Sequence, residues 1–240
     1  MEWLNRQVPG PFVWCLAVFF FVASMTMIAM SPSRFLYDEV FYHGYAVELS
    51  DKGLSISYLR ELIAPTGPLY GFAHLILGSL TDLRVVPMRL ATNVMFATSA
   101  AAVVLLLSMV RVQSPSSVVA LSYGIPFAGV TFGLALTEVP AMLAASVGTL
   151  ALIKGLLMVD DWCKRVKTAG QPPKVAAYAF FVLAGLLYAS AVWGRQNYLV
   201  AVLALPVLFV SNRGFALVPW LLITVITCGL SAVLFVTWLS

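Results

Sequence analysis

Residues 37–43 (YDEVFYH) are the stretch of this sequence best suited to chemistry. They combine two adjacent carboxylates, two tyrosines and one of the two histidines in the chain, and they follow a long apolar run that ends at Met30. A carboxylate partly shielded from water at a membrane edge has a raised pKa and can act as a general base near neutral pH. We therefore predict Asp38 and Glu39 as catalytic residues. The alternative is that both acids favour a helix N-terminus, where negative charge complements the helix dipole.

Arg195, followed by Gln196 and Asn197, is the second candidate for chemistry. The five donors of a guanidinium suit a phosphate oxyanion, and the neighbouring amides add further donors. An arginine in an apolar region is costly and usually faces a cavity or a partner. We predict Arg195, Gln196 and Arg89 as a phosphate site and Asn197 as a substrate contact. The alternatives are an interfacial Arg195 that extends to the lipid headgroups and an Arg89 that merely flanks a span.

Four further residues are candidates for substrate contact: Tyr42, His43, Tyr70 and Glu138. Glu138 interrupts a long apolar stretch, so it lies either in a loop or against a polar cavity. Tyrosines near the ends of spans also belong to the usual interfacial belt. The histidines, His43 and His74, lie far apart in the sequence and have no metal-ligand spacing.

The composition is that of an integral membrane protein. The 240 residues are 61% hydrophobic and 10% charged, with a mean hydropathy of +0.95, whereas a soluble domain carries roughly 25% charged residues. The net charge of +4 forms no basic patch, so we expect no nucleic-acid partner. Cys15, Cys163 and Cys228 lack metal or disulfide spacing and are expected to be structural. We expect no cofactor and no bound metal, although paired carboxylates can also hold a divalent cation.

The apolar runs predict an all-α fold, a polytopic transmembrane helix bundle with about seven membrane segments. The predicted segments are residues 11–30, 88–110, two spans within 118–158, 175–193, 199–210 and 215–239. The apolar stretch 69–80 is short for a span, and we expect it to enter the membrane and return without crossing. The alternative is a full crossing, which would place the N-terminus outside and Asp38 on the cytoplasmic side.

Residues 31–66 form the longest polar segment and predict an extracytoplasmic loop with short surface helices. Helical spacing in its first part places Val40, Ala46 and Leu49 on one apolar side and the acidic residues elsewhere. A second short helix is expected at residues 54–62.

Residues 159–174 contain several lysines and arginines, which predicts a cytoplasmic loop because short basic loops stay inside. Counting spans from this loop places Glu138 and Arg195 on the opposite side, together with the acidic loop. Residues 1–240 are thus expected to form a single transmembrane module.

The order of these motifs resembles the GT-C superfamily of polytopic glycosyltransferases, which use polyprenyl-phosphate-linked sugars. The resemblance covers the whole chain. It is closest to the dolichyl-phosphoglucose-dependent glucosyltransferases, followed by the branch of protein mannosyltransferases and aminoarabinose transferases. The elements that carry it follow in the order Asp38-Glu39, residues 64–70 (APTGPLY), Leu83-Arg84 to Arg89-Leu90, Thr137-Glu138 and Arg195-Gln196-Asn197.

Two features depart from the superfamily pattern. Members usually run well past 240 residues, so we expect a fragment or a minimal form that lacks a C-terminal, acceptor-binding part. The order Thr-Gly-Pro-Leu-Tyr also differs from the usual Pro-Pro or Pro-Gly arrangement, which bears on the role of Tyr70.

The resemblance implies a hexosyltransferase that works by a single inverting displacement. Asp38 would take the proton of an acceptor hydroxyl, and Arg195 and Arg89 would meet the charge of the departing polyprenyl phosphate. The implied partners are the lipid-linked donor, the bilayer and a glycan, lipid or protein acceptor. We expect the bacterial inner membrane in preference to the endoplasmic reticulum.

The competing interpretation is a non-enzymatic polytopic protein: a transporter, a lipid carrier or a complex subunit. A transporter needs a polar path at the membrane midplane, whereas the charges here cluster at predicted span ends.

Overall fold

The computed structural model describes residues 10–32, 34, 39–53, 68–109, 138–169, 175–194 and 218–239, and its regular structure there is helical throughout. The helices are α1 (Gly10–Ala29), α2 (Glu39–Lys52), α3 (Leu69–Ile76), α4 (Val85–Met109), α5 (Glu138–Ala169), α6 (Val175–Gly194) and α7 (Val218–Leu239), with a single helical turn at Gly78–Thr81. The predicted all-α class is confirmed for this part of the chain.

Three helices are long and apolar enough to cross a membrane: Val85–Met109, Glu138–Trp162 and Val175–Gly194. Ala17–Ala29 in α1 and Leu221–Ser231 in α7 are shorter apolar stretches. The described residues therefore support a membrane protein with fewer clear spans than the predicted seven. The span expected at residues 199–210 and the first of the two expected within 118–158 lie outside the described residues.

α5, α6 and α7 pack through small residues and hydroxyl hydrogen bonds. Tyr188 Oη in α6 donates to Thr149 Oγ1 in α5 at 2.9 Å, and Thr224 Oγ1 in α7 donates to the Phe181 carbonyl at 3.1 Å. A Cβ on Gly185 would lie 2.7 Å from the Thr224 carbonyl oxygen. Such close approach of small residues replaces the hydrophobic driving force that is absent between helices in lipid.

Side-chain contacts fix the direction of α4 against α1. Asn93 Nδ2 donates to Ser24 Oγ at 2.9 Å, and Arg89 Nη1 donates to Ser31 Oγ at 2.9 Å. The contact nearer the start of α4 is also the contact nearer the end of α1. The two helices are therefore antiparallel. The chain from residue 32 to residue 84 therefore begins and ends at the same end of the bundle.

α4 and α5, by contrast, run parallel. Phe96 packs with Val139, and three residues further along α4 Ser99 Oγ lies 2.8 Å from Ser146 Oγ. α6 runs back against α5, since Tyr188 contacts Thr149 and Gly194 contacts Ala141.

One end of the bundle therefore gathers the end of α1, the starts of α4 and α5, and the end of α6. We call it the polar end and define it by Ser31, Arg89, Glu138 and Gly194. α3 belongs to the connection between α1 and α4. Its eight residues span about 12 Å, well short of the ~30 Å hydrocarbon core.

The polar loop predicted at residues 159–174 is wrong for most of its length, because α5 continues as a helix to Ala169. Residues 159–169 contain no glycine or proline, and the first breakers are Gly170 and Pro172. Polar residues show where a helix leaves an apolar environment, but they do not end the helix. Its backbone hydrogen bonds continue until a glycine or proline interrupts them. Residues 170–174 lie outside the described part of the chain.

α2 confirms the helix predicted in this segment, but a different set of its residues is buried. Ala46 and Leu49 are buried as expected, whereas Val40 is 46% exposed and Tyr42 takes its place. Glu39, expected away from the apolar side, is 1% exposed. The buried stripe at positions 39, 42, 46 and 49 follows one helix face, and an acidic residue joins it because a cation opposes it. The second helix expected at residues 54–62 lies outside the described residues.

Candidate functional site

A buried ion pair between Glu39 and Arg89 lies at the polar end. Arg89 Nε donates to Glu39 Oε1 at 2.8 Å and Nη2 donates to Oε2 at 2.5 Å, a two-point contact between a planar guanidinium and a carboxylate. Both side chains are 1% exposed. The pair joins the first residue of α2 to the second turn of α4 across fifty positions of sequence.

The remaining donors of Arg89 tie down the chain after α1. Nη1 donates to Ser31 Oγ at 2.9 Å and to the Pro32 carbonyl at 2.8 Å, and Nη2 donates to the Arg34 carbonyl at 2.9 Å. A guanidinium has five N–H donors, and all five are used here. Arg89 thus holds the end of α1 and the start of α2 against α4.

An aromatic cluster lies beside this pair, between α2 and α3. The ring of Tyr70 lies 5.7 Å from that of Tyr42 and 4.5 Å from that of His74, measured between centroids. Tyr42 is 8% exposed, Tyr70 2% and His74 0%.

The hydrogen bonds of Thr92 fix the tautomer of His74. Thr92 Oγ1 donates to the Met88 carbonyl at 2.9 Å, so its proton is committed and it accepts the contact from His74 Nε2 at 3.4 Å. Nε2 therefore carries the proton and Nδ1 keeps its lone pair. Within the described part of the chain, His74 Nδ1 and Tyr70 Oη are buried without a hydrogen-bond partner.

Burial disfavours the charged form of both side chains, as their pKa shifts show. It lowers the pKa of His74 to about 4, with a smaller contribution from His43. It raises the pKa of Tyr70 above its ordinary value, and the charge of Glu39 and the neighbouring Tyr42 act in the same direction. The cluster thus places the uncharged side chains of Tyr70 and His74 beside an ion pair whose two charges cancel.

His43 ties α2 to the turn that precedes α4. Its Nε2 donates a short hydrogen bond to the Leu83 carbonyl. Asp82 and Leu83 have φ values of 48° and 51°, a left-handed conformation that costs free energy in a residue with a Cβ. The bond from His43 is one of the contacts that hold this turn.

Three chain segments meet on the other side of the polar end. A Cβ on Gly194 would lie 2.7 Å from Leu69 Cδ2 and 2.9 Å from Ala141 Cβ. The start of α3, the first turn of α5 and the last residue of α6 are thus in contact. Glu138 begins α5 and is half-buried, with Pro140 in the same turn.

The predicted site residues divide into two groups. Asp38, Arg195, Gln196 and Asn197 lie outside the described residues, and their assigned roles stay predictions. Glu39, Arg89, Tyr42, His43 and Tyr70 all belong to the contacts of α2, α3 and α4 at the polar end, and Glu138 begins α5 at that end. Two sequence neighbours of the undescribed candidates lie there too: Glu39, the first residue of α2, and Gly194, the last residue of α6.

The roles of three buried polar residues of α4 and α3 were not foreseen. Thr92 and Asn93 follow Arg89 by three and four positions, the spacing of one helix face, and His74 contacts Thr92. Polar residues at that spacing in an otherwise apolar span are the signal that could have found them. The described residues hold no group of three or more His, Cys, Asp or Glu side chains suited to a metal ion.

No protein-family model, no curated protein and no solved structure matches this chain. The described residues define a helical protein with three candidate membrane-spanning helices and a cluster of polar side chains at one end of the bundle.

Proposed function

We propose that this protein is an integral membrane glycosyltransferase that moves a hexose from a polyprenyl-phosphate donor to an acceptor hydroxyl. The acceptor oxygen attacks the anomeric carbon of the sugar, and the bond from that carbon to the phosphate oxygen breaks. The acceptor proton passes to the Asp38 carboxylate, and polyprenyl phosphate leaves. One displacement inverts the anomeric centre.

The observation that supports the proposal most is the meeting of distant segments at the polar end. The contact of Gly194 with Leu69 and Ala141 brings the residue before Arg195 next to the first turn of α5. The pair of Arg89 and Glu39 brings the residue after Asp38 to α4 at the same end. A donor with an apolar tail and a charged head needs this arrangement of lipid-facing helices and polar groups at one end.

Every candidate has a role in this proposal except Glu39 and Arg89, which pair with each other. Asp38 is the base, and Arg195 with Gln196 stabilises the charge on the departing phosphate, because donors aimed at developing charge in a site shielded from water contribute strongly to rate. Holding donor and acceptor together at one membrane edge supplies a further large part of it. The remaining candidates, Tyr42, His43, Tyr70, Glu138 and Asn197, are proposed as substrate contacts.

Sugar transfer by the purified chain in detergent tests the proposal. The chain is offered a panel of radiolabelled polyprenyl-phosphate sugars with simple hydroxyl acceptors. Transfer by the wild type and its loss in Asp38→Asn would support both the class and the base. Asp51→Asn is the matched control, because Asp51 is an exposed acid on α2 and its change should leave transfer intact.

The competing function is a non-enzymatic subunit of a membrane complex. It is favoured by the observation that Glu39 and Arg89, two candidate site residues, neutralise each other. A chain that neither binds nor turns over any donor would support it. Donor binding without turnover would instead indicate an enzyme that needs further acceptor-binding sequence.

A further inference from the structure

We propose that Arg89 and Glu39 act as a positioning clamp for the segment that carries Asp38, and that neither contacts the substrate. The inference rests on the proposed function for the role of Asp38, whereas the clamp itself rests on geometry alone. It assigns Arg89 and Glu39 a different task from phosphate binding and catalysis, the tasks that their residue types suggested.

The guanidinium of Arg89 has no donor left for a phosphate. Its five N–H groups go to the two oxygens of Glu39, to Ser31 Oγ, and to the carbonyls of Pro32 and Arg34. A phosphate could bind Arg89 only by displacing some of these acceptors. Displacing Glu39 would leave its carboxylate buried without its cation, which is strongly unfavourable.

The clamp holds described residues on both sides of position 38. Its acceptors lie at positions 31, 32, 34 and 39, so they bracket Asp38 on the N-terminal side and adjoin it on the C-terminal side. The anchor, Arg89, lies in α4, a candidate membrane span. The described residues on both sides of position 38 are thereby attached to α4.

The residue type at position 89 also favours a clamp. Arginine presents a planar fork that a lysine cannot reproduce, and its charge persists when it is buried. A lysine at position 89 could reach one carboxylate oxygen but could not bond the carboxylate and three further acceptors together. The clamp therefore predicts that charge alone does not suffice at this position.

Two variants separate positioning from folding. Arg89→Lys keeps the charge and loses most of the hydrogen bonds. The double variant Glu39→Leu with Arg89→Met replaces the buried pair with apolar side chains, an exchange that folded proteins often tolerate. Lys52→Met is the control, since it removes the exposed pair of Glu48 and Lys52 from the same helix and should change nothing.

The readouts are hydrogen–deuterium exchange across residues 31–41 and steady-state kinetics of sugar transfer. The clamp predicts faster exchange in both variants. It also predicts a fall in kcat on the order of a hundredfold, as for a misplaced catalytic group, with the KM for the donor nearly unchanged. A raised KM for the donor with unchanged exchange would overturn the proposal and restore Arg89 as a phosphate ligand.

Failure of the proposed function has a different signature. If the wild-type chain transfers no sugar, exchange alone decides on the clamp. Faster exchange in Arg89→Lys and in the double variant would support it, and unchanged exchange in both would overturn it.

Discussion

Gly194, the last residue of α6, lies so close to Leu69 at the start of α3 that no side chain fits between them. A Cβ at position 194 would lie 2.7 Å from Leu69 Cδ2 and 2.9 Å from Ala141 Cβ. This contact holds the residue before Arg195 against the entry to α3. The geometry of the polar end thus depends on a position that has no side chain.

Gly194→Ala should therefore destabilise the protein, although alanine is the better helix former. Overpacking of this kind costs roughly 1–3 kcal/mol, and we expect that loss in the free energy of unfolding measured in detergent. Gly229→Ala is the matched control. A Cβ on Gly229 meets nothing within 4 Å, so this change should be neutral or stabilising by about 0.5–1 kcal/mol. Equal effects of the two substitutions would contradict the close contact at Gly194.

Tyr70→Phe tests whether the buried hydroxyl has a partner. Tyr70 Oη is without a hydrogen-bond partner in the described structure, so its removal should leave the free energy of unfolding unchanged or raise it. Tyr188→Phe is the comparison, because Tyr188 Oη donates to Thr149 and its loss should cost about 1 kcal/mol. An equally destabilised Tyr70→Phe would show that an ordered water or another group satisfies Tyr70.

The burial of His74 predicts a loss of stability in acid. Its pKa is lowered in the folded protein from 6.5 to about 4, so between these values the unfolded chain binds a proton that the folded chain does not. Stability is therefore fully present above pH 6.5 and falls as the pH drops towards 4, by up to about 3 kcal/mol. His74→Gln removes the titrating group and should flatten this part of the profile. Identical pH profiles for wild type and variant, measured by thermal unfolding, would contradict the buried neutral imidazole.

The apolar helices could be predicted closely from the sequence, whereas the polar end of α5 could not. Residues 88–110 and 175–193 were expected as spans, and α4 and α6 occupy Val85–Met109 and Val175–Gly194. A continuous apolar run fixes such a helix locally. The end of α5 was misplaced, because no local apolar signal marks a helix that continues into polar sequence as far as Ala169.

The site was predictable as a set of unusual residues but not as a set of contacts. Glu39 and Arg89 stood out because charges are scarce in this chain, yet nothing local shows that they pair across fifty positions. Their pairing also explains why Val40 faces outward: α2 turns its acidic position towards the buried cation, and Tyr42 completes that face. Tertiary contacts of this kind override a hydrophobic pattern.

Ser24→Ala tests the packing of α1 against α4. Asn93 Nδ2 donates to Ser24 Oγ, and both residues are buried. Removing the hydroxyl leaves a buried amide without this acceptor, which costs about 1–3 kcal/mol. Ser108→Ala is the control, since that exposed hydroxyl bonds only the carbonyl of its own helix. A double-mutant cycle with Asn93→Ala that gives no coupling energy would contradict the contact.

The measurement that tests the central claim most directly is the anomeric configuration of the sugar transferred from a polyprenyl-phosphate donor, determined for wild type, Asp38→Asn and Asp51→Asn. We predict a product of inverted configuration from the wild type and from Asp51→Asn, and no product from Asp38→Asn. A product of retained configuration, or transfer that persists in Asp38→Asn, would contradict a single displacement with Asp38 as the base.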